Sequence, residues 1–283
     1  MGNKTPKLVT TLIIIVILSL VPCFFTEEAT VESGNTTKGD EALAKIKNLK
    51  IIELGNYRIF TNIYGERNYN KILQLLTQAV PEISNDLSFA ELKNKIKILI
   101  LNEYGYRDFL TNIGYVYSKT PYGFALPDQN FIMVNSDLGE GTLLHEMVHI
   151  LLFNDIKKAP PWIDEGIACL YEASGWKGNK IYVRNNWRLP LLKKVIDTPN
   201  YIKLSDLLKM DSFTYSGKTF PASEARYLIY YLFEKKLLGE FYREYKATRT
   251  EDYYGIKALT KTVGTSTDGL EQEWLKWVRE LGK

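Results

Sequence analysis

Histidine and cysteine are scarce in this chain of 283 residues, which contains two of each. Cys23 falls inside an apolar N-terminal stretch, whereas Cys169 lies in a segment that is predicted to form a buried helix. This placement argues against a structural disulfide, and no Cys-x-x-Cys pair is present to bind a metal. Both cysteines are therefore expected to be small apolar fillers, as buried free cysteines commonly are.

An excess of one charge is also lacking. The chain has 36 basic and 33 acidic side chains, a formal net charge of +3, and no long block of like charges. A dedicated nucleic-acid binder would carry a basic face or stripe, so the composition argues against a nucleic-acid partner. With 45% hydrophobic and 13% aromatic residues, the composition is that of a globular protein with material for one large or two small domains.

The N-terminus carries a single long apolar run. Lys4 and Lys7 precede the uncharged stretch Leu8–Phe25, and acidic residues follow it. Eighteen residues form a helix of about 27 Å, close to the thickness of a bilayer core. We expect residues 1–25 to be a single membrane anchor that places the protein outside the cytoplasm. A cleaved signal peptide with secretion is the alternative; Pro22 argues against a lipoprotein signal ending at Cys23.

Hydrophobic patterning predicts strands before residue 140 and helices after it. Residues 26–40 are polar and are expected to form a linker. We therefore predict an N-terminal part with sheet and metal-binding helices over 41–175 and a helical C-terminal subdomain over 176–283. The predicted strands are Leu49–Leu54 and Tyr57–Ile63, joined by a two-residue hairpin turn at Gly55-Asn56, followed by Lys95–Asn102, Tyr115–Ser118 and Phe131–Asn135. The main predicted helices are Ile72–Ile83, Gly141–Phe153, Trp162–Ala173, Ala222–Lys236 and Leu270–Leu281.

Both histidines lie four residues apart, with a glutamate directly after the first. On a helix, His145 and His149 project from one face, so both imidazoles can bind one ion. Neutral imidazole is a natural ligand of Zn²⁺ at about 2.0–2.1 Å. The neighbouring residues on the same segment are almost all apolar, which predicts a buried helix and a metal site in a cleft.

A catalytic zinc site needs a third protein ligand and one open position. Glu146 points about 100° away from His145 around the helix, so it is expected to act as a base toward the zinc-bound water. Because no further histidine exists, the third ligand is expected to be a carboxylate, and Glu165 in an apolar segment is the first choice. Asp164 and Glu172 are weaker candidates, and either can orient a histidine from outside the metal.

The segments His145-Glu146-x-x-His149 and Trp162–Ala168 together resemble those of the gluzincin metallopeptidases, in particular the peptidase MA-like family. That resemblance implies zinc ligands at His145, His149 and Glu165 and a catalytic base at Glu146. It also implies an α+β, zincin-like fold in which a small mixed sheet packs on the metal-binding helix and a helical subdomain follows.

The same resemblance implies a substrate-binding edge strand and an oxyanion-stabilising tyrosine. Gly123, Phe124 and Ala125 are the candidates for the strand, on which a peptide would lie antiparallel. Tyr215 is the candidate for the oxyanion, with Tyr227, Tyr230 and Tyr231 as alternatives, and Phe220 stands where the family has a tyrosine.

The sequence thus predicts a zinc metallopeptidase acting on a peptide or protein substrate, with Glu146 as general base. Three alternatives stay open at this point. The chain can be a non-catalytic, zinc-stabilised binding module, a hydrolase of a non-peptide amide, or a scaffold without metal. The presence of Glu146 between the histidines favours catalysis, because a purely structural zinc has no use for a base.

Overall fold

The computed structural model describes residues 38–117, 121–139, 141–177, 180–213 and 219–282. It shows a mixed α+β protein with one five-stranded mixed sheet and one two-stranded sheet. The chain divides into two compact units. The sheet unit holds the described residues up to Gly65 and those of Asn94–Gly139, and the helix-rich unit holds Glu66–Lys93 and the described residues of Glu140–Lys283. The domain border expected at residue 175 stays a prediction.

Helices and strands alternate between Lys38 and Asn135, and the described residues after Asn135 are mostly helical. The strands are β1 (Lys50–Leu54), β2 (Tyr57–Thr61), β3 (Ile96–Leu101), β4 (Gly123–Leu126), β5 (Phe131–Asn135), β6 (Ser174–Lys177) and β7 (Lys180–Val183). The α-helices are α1 (Lys38–Lys45), α2 (Glu66–Gln74), α3 (Val80–Leu87), α4 (Glu103–Ile113), α5 (Gly141–Ile156), α6 (Pro161–Glu172), α7 (Arg188–Val195), α8 (Leu204–Leu207), α9 (Pro221–Glu234), α10 (Leu238–Thr248), α11 (Ile256–Val263) and α12 (Thr267–Glu280).

The five-stranded sheet has the order β1-β2-β3-β5-β4. The predicted hairpin at Gly55-Asn56 is confirmed: β1 and β2 pair antiparallel, and Gly55 takes the left-handed conformation with φ 53° that such a tight turn favours. Strands β2, β3 and β5 are parallel, and β4 pairs antiparallel with β5 at the sheet edge. The central strand β3 is buried at all but one position, which explains its unbroken run of aliphatic residues.

The core of the sheet unit forms where α1 and α4 contribute apolar residues to one face of this sheet. Side chains two residues apart on a strand share a face, so Leu99 and Leu101 of β3 join Phe131 and Met133 of β5 in one buried cluster. The aromatic ring of Tyr106 on α4 is fully buried in the same cluster. This burial fixes the register of the sheet.

Two glycines allow the helices of the helix-rich unit to approach closely. A Cβ atom at Gly141 would lie 1.9 Å from the backbone oxygen of Glu172, so α5 and α6 meet backbone to backbone there. At Gly166 a Cβ atom would lie 2.7 Å from Ile229 Cγ1 and 3.1 Å from Ala225 O, both on α9. Helix α6 is therefore held tightly between α5 and α9.

Two predictions from strand and helix patterns need correction. The predicted strand Tyr115–Ser118 is wrong over its described residues, and the strand that pairs with β5 is β4. The reason lies in packing: Tyr115 follows directly on the end of α4 and stacks its ring on Phe124 of β4, at 6.1 Å between ring centroids. The hairpin of β6 and β7 is an element that the sequence patterns did not predict.

The membrane-anchored location expected from the sequence is also contradicted. A membrane-spanning helix needs about 20 predominantly apolar residues. None of the helices in the described part of the chain is long and apolar enough to cross a membrane; even α5, which is strongly apolar, has 16 residues. Residues 1–25, on which the anchor was predicted, lie outside the described residues.

Candidate metal centre

Helix α5 carries both histidines of the chain on a segment that is buried nearly all round. Eight of its apolar residues are almost fully covered, and seven of these lie within three residues of His145, Glu146 or His149 along the helix. The side chains of His145 and His149 keep 16% and 13% of their surface exposed. An apolar helix of this kind places its few polar groups in a sheltered position, where water competes weakly for a metal.

The Nε2 atoms of the two histidines face each other. His145 Nε2 and His149 Nε2 are 3.3 Å apart, as the i,i+4 spacing predicts. Two nitrogen ligands at about 2.0–2.1 Å from a tetrahedral ion lie about 3.3–3.4 Å apart. The observed separation of the two nitrogens therefore fits a shared tetrahedral ion.

Glu165 on α6 supplies a third ligand atom at the same place. Its Oε2 is 3.7 Å from His145 Nε2, a few tenths of an ångström beyond the tetrahedral separation and within reach of a small side-chain rotation. Ligand atoms of His145, His149 and Glu165 all lie within 4.8 Å of one another. The structure thus brings together the three residues that the sequence predicted as metal ligands.

The outer nitrogens of both histidines face carboxylates. His149 Nδ1 lies 2.9 Å from Asp164 Oδ1, and His145 Nδ1 lies 3.6 Å from Glu172 Oε2. A carboxylate that is hydrogen-bonded at Nδ1 favours the tautomer that carries its proton there, which leaves the lone pair of Nε2 for a metal. Asp164 is therefore placed to orient His149, one of the two roles that the sequence left open for it. Glu172 faces His145 at 3.6 Å, which is too long for a hydrogen bond, so it acts on this ring through its charge.

A second group of potential ligands shares one histidine with the first. Ligand atoms of His145, Cys169 and Glu172 also lie within 4.8 Å of one another. This group fits a metal less well, because Arg188 Nη1 already donates to Glu172 Oε2 at 2.7 Å. Burial also raises the pKa of the Cys169 thiol far above its ordinary value, which opposes the thiolate that a metal needs. The thiol instead lies 4.0 Å from Glu165 Oε2, within reach of a weak hydrogen bond.

The two histidines have opposite pKa shifts. Burial, the charge of His149 and the charge of Arg188 lower the pKa of His145 well below its ordinary value. Burial would also lower the pKa of His149, but the adjacent Asp164 carboxylate outweighs it, with help from Glu165, and raises that pKa to about 10. A proton on His149 thus supplies a positive charge in the metal-free protein, at the place where a cation fits.

Glu165 and Glu146 differ in their surroundings. Burial raises the pKa of the Glu165 carboxyl, and the charge of His149 partly offsets this rise. A divalent cation would favour the charged form of Glu165 in the same way. Glu146 is 7% exposed and belongs to neither group of ligand atoms, in agreement with its predicted position away from the metal-facing side of α5.

The residues predicted to bind substrate are not part of this cluster. Gly123, Phe124 and Ala125 lie on β4 of the sheet unit, whereas the histidines lie in the helix-rich unit. Phe124 packs against Tyr115 and Phe131, so its ring has a structural role. The three residues remain predicted substrate contacts.

Tyr215, the first candidate for the oxyanion, lies outside the described residues. The three alternative tyrosines use their hydroxyls within the helical packing. The Asn186 amide donates to Tyr227, Tyr230 donates to the carbonyl of Val183, and Tyr231 donates to Glu273. None of these contacts joins a tyrosine to the metal ligands, so the oxyanion assignment is not advanced by them.

Cys169 and Arg188 are neighbours of the site that the sequence interpretation missed. The spacing of Glu165, Cys169 and Glu172, at i, i+4 and i+7, places all three on one face of α6 and could have identified the thiol. Arg188 gave no such signal, because it lies 16 residues beyond Glu172, across a hairpin.

Neither a scan against protein-family models nor a search of curated proteins gave a match for this chain. The resemblance to the gluzincins therefore depends on the two segments that contain the predicted metal ligands, and the functional interpretation depends on their geometry.

Proposed function

We propose that this chain is a zinc-dependent peptidase with a zincin-like fold. The observation that supports it most is the convergence of His145 Nε2, His149 Nε2 and Glu165 Oε2, with the buried Glu146 carboxylate on the same helix. Two imidazoles and one carboxylate, with a fourth position open, form the ligand set of catalytic zinc sites.

The donors fit zinc better than other common ions. A site with two imidazole nitrogens and one carboxylate oxygen does not suit Mg²⁺ or Ca²⁺, which prefer oxygen ligands. The facing Nε2 atoms at 3.3 Å match the tetrahedral geometry that zinc favours. In this proposal His145, His149 and Glu165 would hold the ion, and Asp164 would fix the ring of His149 through its 2.9 Å contact.

Zinc supplies Lewis-acid chemistry: it lowers the pKa of a coordinated water toward about 7 and polarises a carbonyl group. Glu146 then has two successive roles. Its carboxylate accepts a proton from the attacking water, and the resulting carboxylic acid donates that proton to the leaving amine. Burial of Glu146 at 7% exposure limits proton exchange with bulk water between these two steps.

The role of Glu146 is tested by the substitution Glu146→Gln in the full chain. Glutamine keeps the size of the side chain but cannot accept the proton, so we expect normal zinc binding and a loss of peptide hydrolysis of about 100–10,000-fold. Zinc content is measured by atomic emission, and hydrolysis is measured with a diverse library of quenched fluorescent peptides.

Glu251→Gln is the matched control, because Glu251 is exposed and far from the histidines in the chain. This variant should keep both zinc and activity. Full peptidase activity in a folded, zinc-loaded Glu146→Gln protein would contradict the mechanism. Zinc binding by the unmodified chain without hydrolysis of any peptide would favour the non-catalytic binding module instead.

A further inference from the structure

Arg188 is a buried cation that contacts the carboxylate of Glu172. The same carboxylate faces His145, one of the predicted zinc ligands. Arg188 begins helix α7, and its side chain is 9% exposed. Its Nη1 donates to Glu172 Oε2 at 2.7 Å, and the same oxygen lies 3.6 Å from His145 Nδ1. A single carboxylate oxygen thus connects the guanidinium of Arg188 with the ring of His145.

The backbone around Arg188 fixes the start of this connection. The Arg188 amide donates to Asn186 Oδ1 at 3.1 Å, and the Asn186 amide donates to the hydroxyl of Tyr227 on α9. The guanidinium lies 4.3 Å from the ring of Trp187. These contacts hold Arg188 in one place, so the position of its partner Glu172 is restricted as well.

We infer that Arg188 is a positioning residue for the metal centre, acting through Glu172 on His145. The inference rests on the proposed zinc site and extends it to a residue outside the two segments that contain the ligands. Without the guanidinium, the Glu172 carboxylate can turn away from His145, and the ring of His145 loses the negative charge that faces its Nδ1 at 3.6 Å and stabilises the ring when Nε2 holds a cation. Partners of this kind, which contact a ligand and not the metal, typically change metal affinity about 10–100-fold when they are removed.

The competing explanation is that Arg188 serves stability alone. In that case its loss would lower the unfolding temperature but leave the zinc affinity of the folded protein unchanged. The zinc affinity and the visible absorption spectrum of the Co²⁺-substituted protein therefore separate the two explanations, because both depend on the geometry of the ligands.

The test compares Arg188→Met with Arg184→Met in the full chain. Arg184 lies in the same region and donates to the carbonyl of Ser174, away from Glu172, so it is a matched control. Zn²⁺ affinity is measured by competition with a chelating dye, on protein whose folding has been checked by circular dichroism. We expect a loss of about 10–100-fold for Arg188→Met, a changed Co²⁺ spectrum, and no change for Arg184→Met.

Two more variants show whether Arg188 acts through Glu172. Glu172→Gln should lose about as much affinity as Arg188→Met, and the double variant should lose no more than the larger single loss. Arg188→Lys keeps the charge without the planar fork, so it should recover part of the affinity. If Arg188→Met does not fold, Glu172→Gln and Arg188→Lys decide the question.

Wild-type affinity in Arg188→Met or in Glu172→Gln overturns the inference, as does a double variant whose loss equals the product of the single losses. Failure of the unmodified chain to bind Zn²⁺ is a different result, because it removes the proposed function itself. The two failures are therefore distinguishable in one set of measurements.

Discussion

His149 and His145 occupy equivalent positions on one face of α5, yet the groups that face their outer nitrogens differ in distance, exposure and charge. His149 contacts Asp164 at 2.9 Å, and Asp164 keeps 39% of its side-chain surface exposed. His145 lies 3.6 Å from Glu172, which is 23% exposed and pairs with the buried Arg188. The first arrangement is a direct hydrogen bond to a partly exposed carboxylate. The second is a longer contact to a carboxylate that forms an ion pair with the buried Arg188.

The difference explains why the two rings have opposite pKa shifts. Asp164 contacts the ring of His149 directly, and its charge raises the pKa of that ring to about 10. Burial lowers the pKa of His145, and the charges of His149 and Arg188 lower it further. The nearby Glu172 carboxylate does not offset this, because it is paired with Arg188. His149 thus favours the cationic form, and His145 favours the neutral form.

The largest effects should come from removing the two carboxylates separately. Asp164→Asn removes the charge that faces His149, so we expect zinc affinity to fall about 10–100-fold. The free energy of unfolding of the metal-free protein should fall by no more than about 1 kcal/mol, because solvent screens a pair whose carboxylate is 39% exposed. Glu172→Gln should instead cost about 3–5 kcal/mol, because it leaves the buried Arg188 without its carboxylate.

Zinc titration and urea unfolding of the metal-free protein measure these two quantities for each variant. Glu103→Gln is a control for the chemistry of the substitution, because Glu103 belongs to the sheet unit and pairs with the exposed Arg107. Equal losses in the free energy of unfolding for Asp164→Asn and Glu172→Gln would contradict this comparison, because they would show that both carboxylates contribute equally to stability.

A smaller and more specific effect concerns protons. The pKa of His149 is raised to about 10, so this ring carries a proton at neutral pH in the metal-free protein, and zinc must displace it. Zinc affinity should therefore rise with pH up to about 10, and binding should release a proton from His149. Calorimetry in buffers of different protonation enthalpy measures this release.

The Asp164→Asn variant tests the origin of that proton. Asp164 makes the largest contribution that raises the pKa of His149, so its neutralisation should bring this pKa down and reduce the proton release at neutral pH.

The raised pKa of His149 also sets how the free energy of unfolding depends on pH. A histidine with a raised pKa stabilises the folded state fully below its unfolded value of about 6.5, and this contribution disappears as the pH rises toward 10. Unchanged proton release in Asp164→Asn would assign the proton to another group.

The clustering of the three predicted metal ligands could be foreseen from the sequence because helical spacing is a local property. His145 and His149 lie one turn apart in any regular helix, and Pro161 suits the first turn of the second helix, α6, which carries Glu165. The hairpin at Gly55-Asn56 was predictable for the same reason, since the turn residues alone specify it.

Other features were not predictable, because they depend on contacts between distant parts of the chain. Arg188 and Glu172 are separated in the sequence by the paired strands β6 and β7, so their contact depends on how these strands fold back on each other. The strand predicted at Tyr115 failed because its aromatic ring is used for stacking on Phe124 rather than for sheet pairing. An alternation of apolar and polar residues over only three or four positions does not distinguish a side chain used for ring stacking from one in a paired strand.

The smallest effect is expected at Cys169, whose thiol lies within 4.8 Å of ligand atoms of His145 and Glu172 and 4.0 Å from Glu165 Oε2. Its substitution decides between the two groups of potential ligands. Its thiol is buried and its pKa is raised far above the ordinary value, so the thiol is expected to stay protonated and to contact Glu165 only weakly. Cys169→Ala should therefore change zinc affinity less than about threefold and lower the free energy of unfolding by about 1 kcal/mol, the cost of a small loss of packing. Cys169→Ser, which keeps a hydrogen-bond donor of similar size, is the matched control. A loss of zinc affinity of a hundredfold or more in both variants would instead identify His145, Cys169 and Glu172 as the ligands, and the ion would then bind on the Arg188 side of His145.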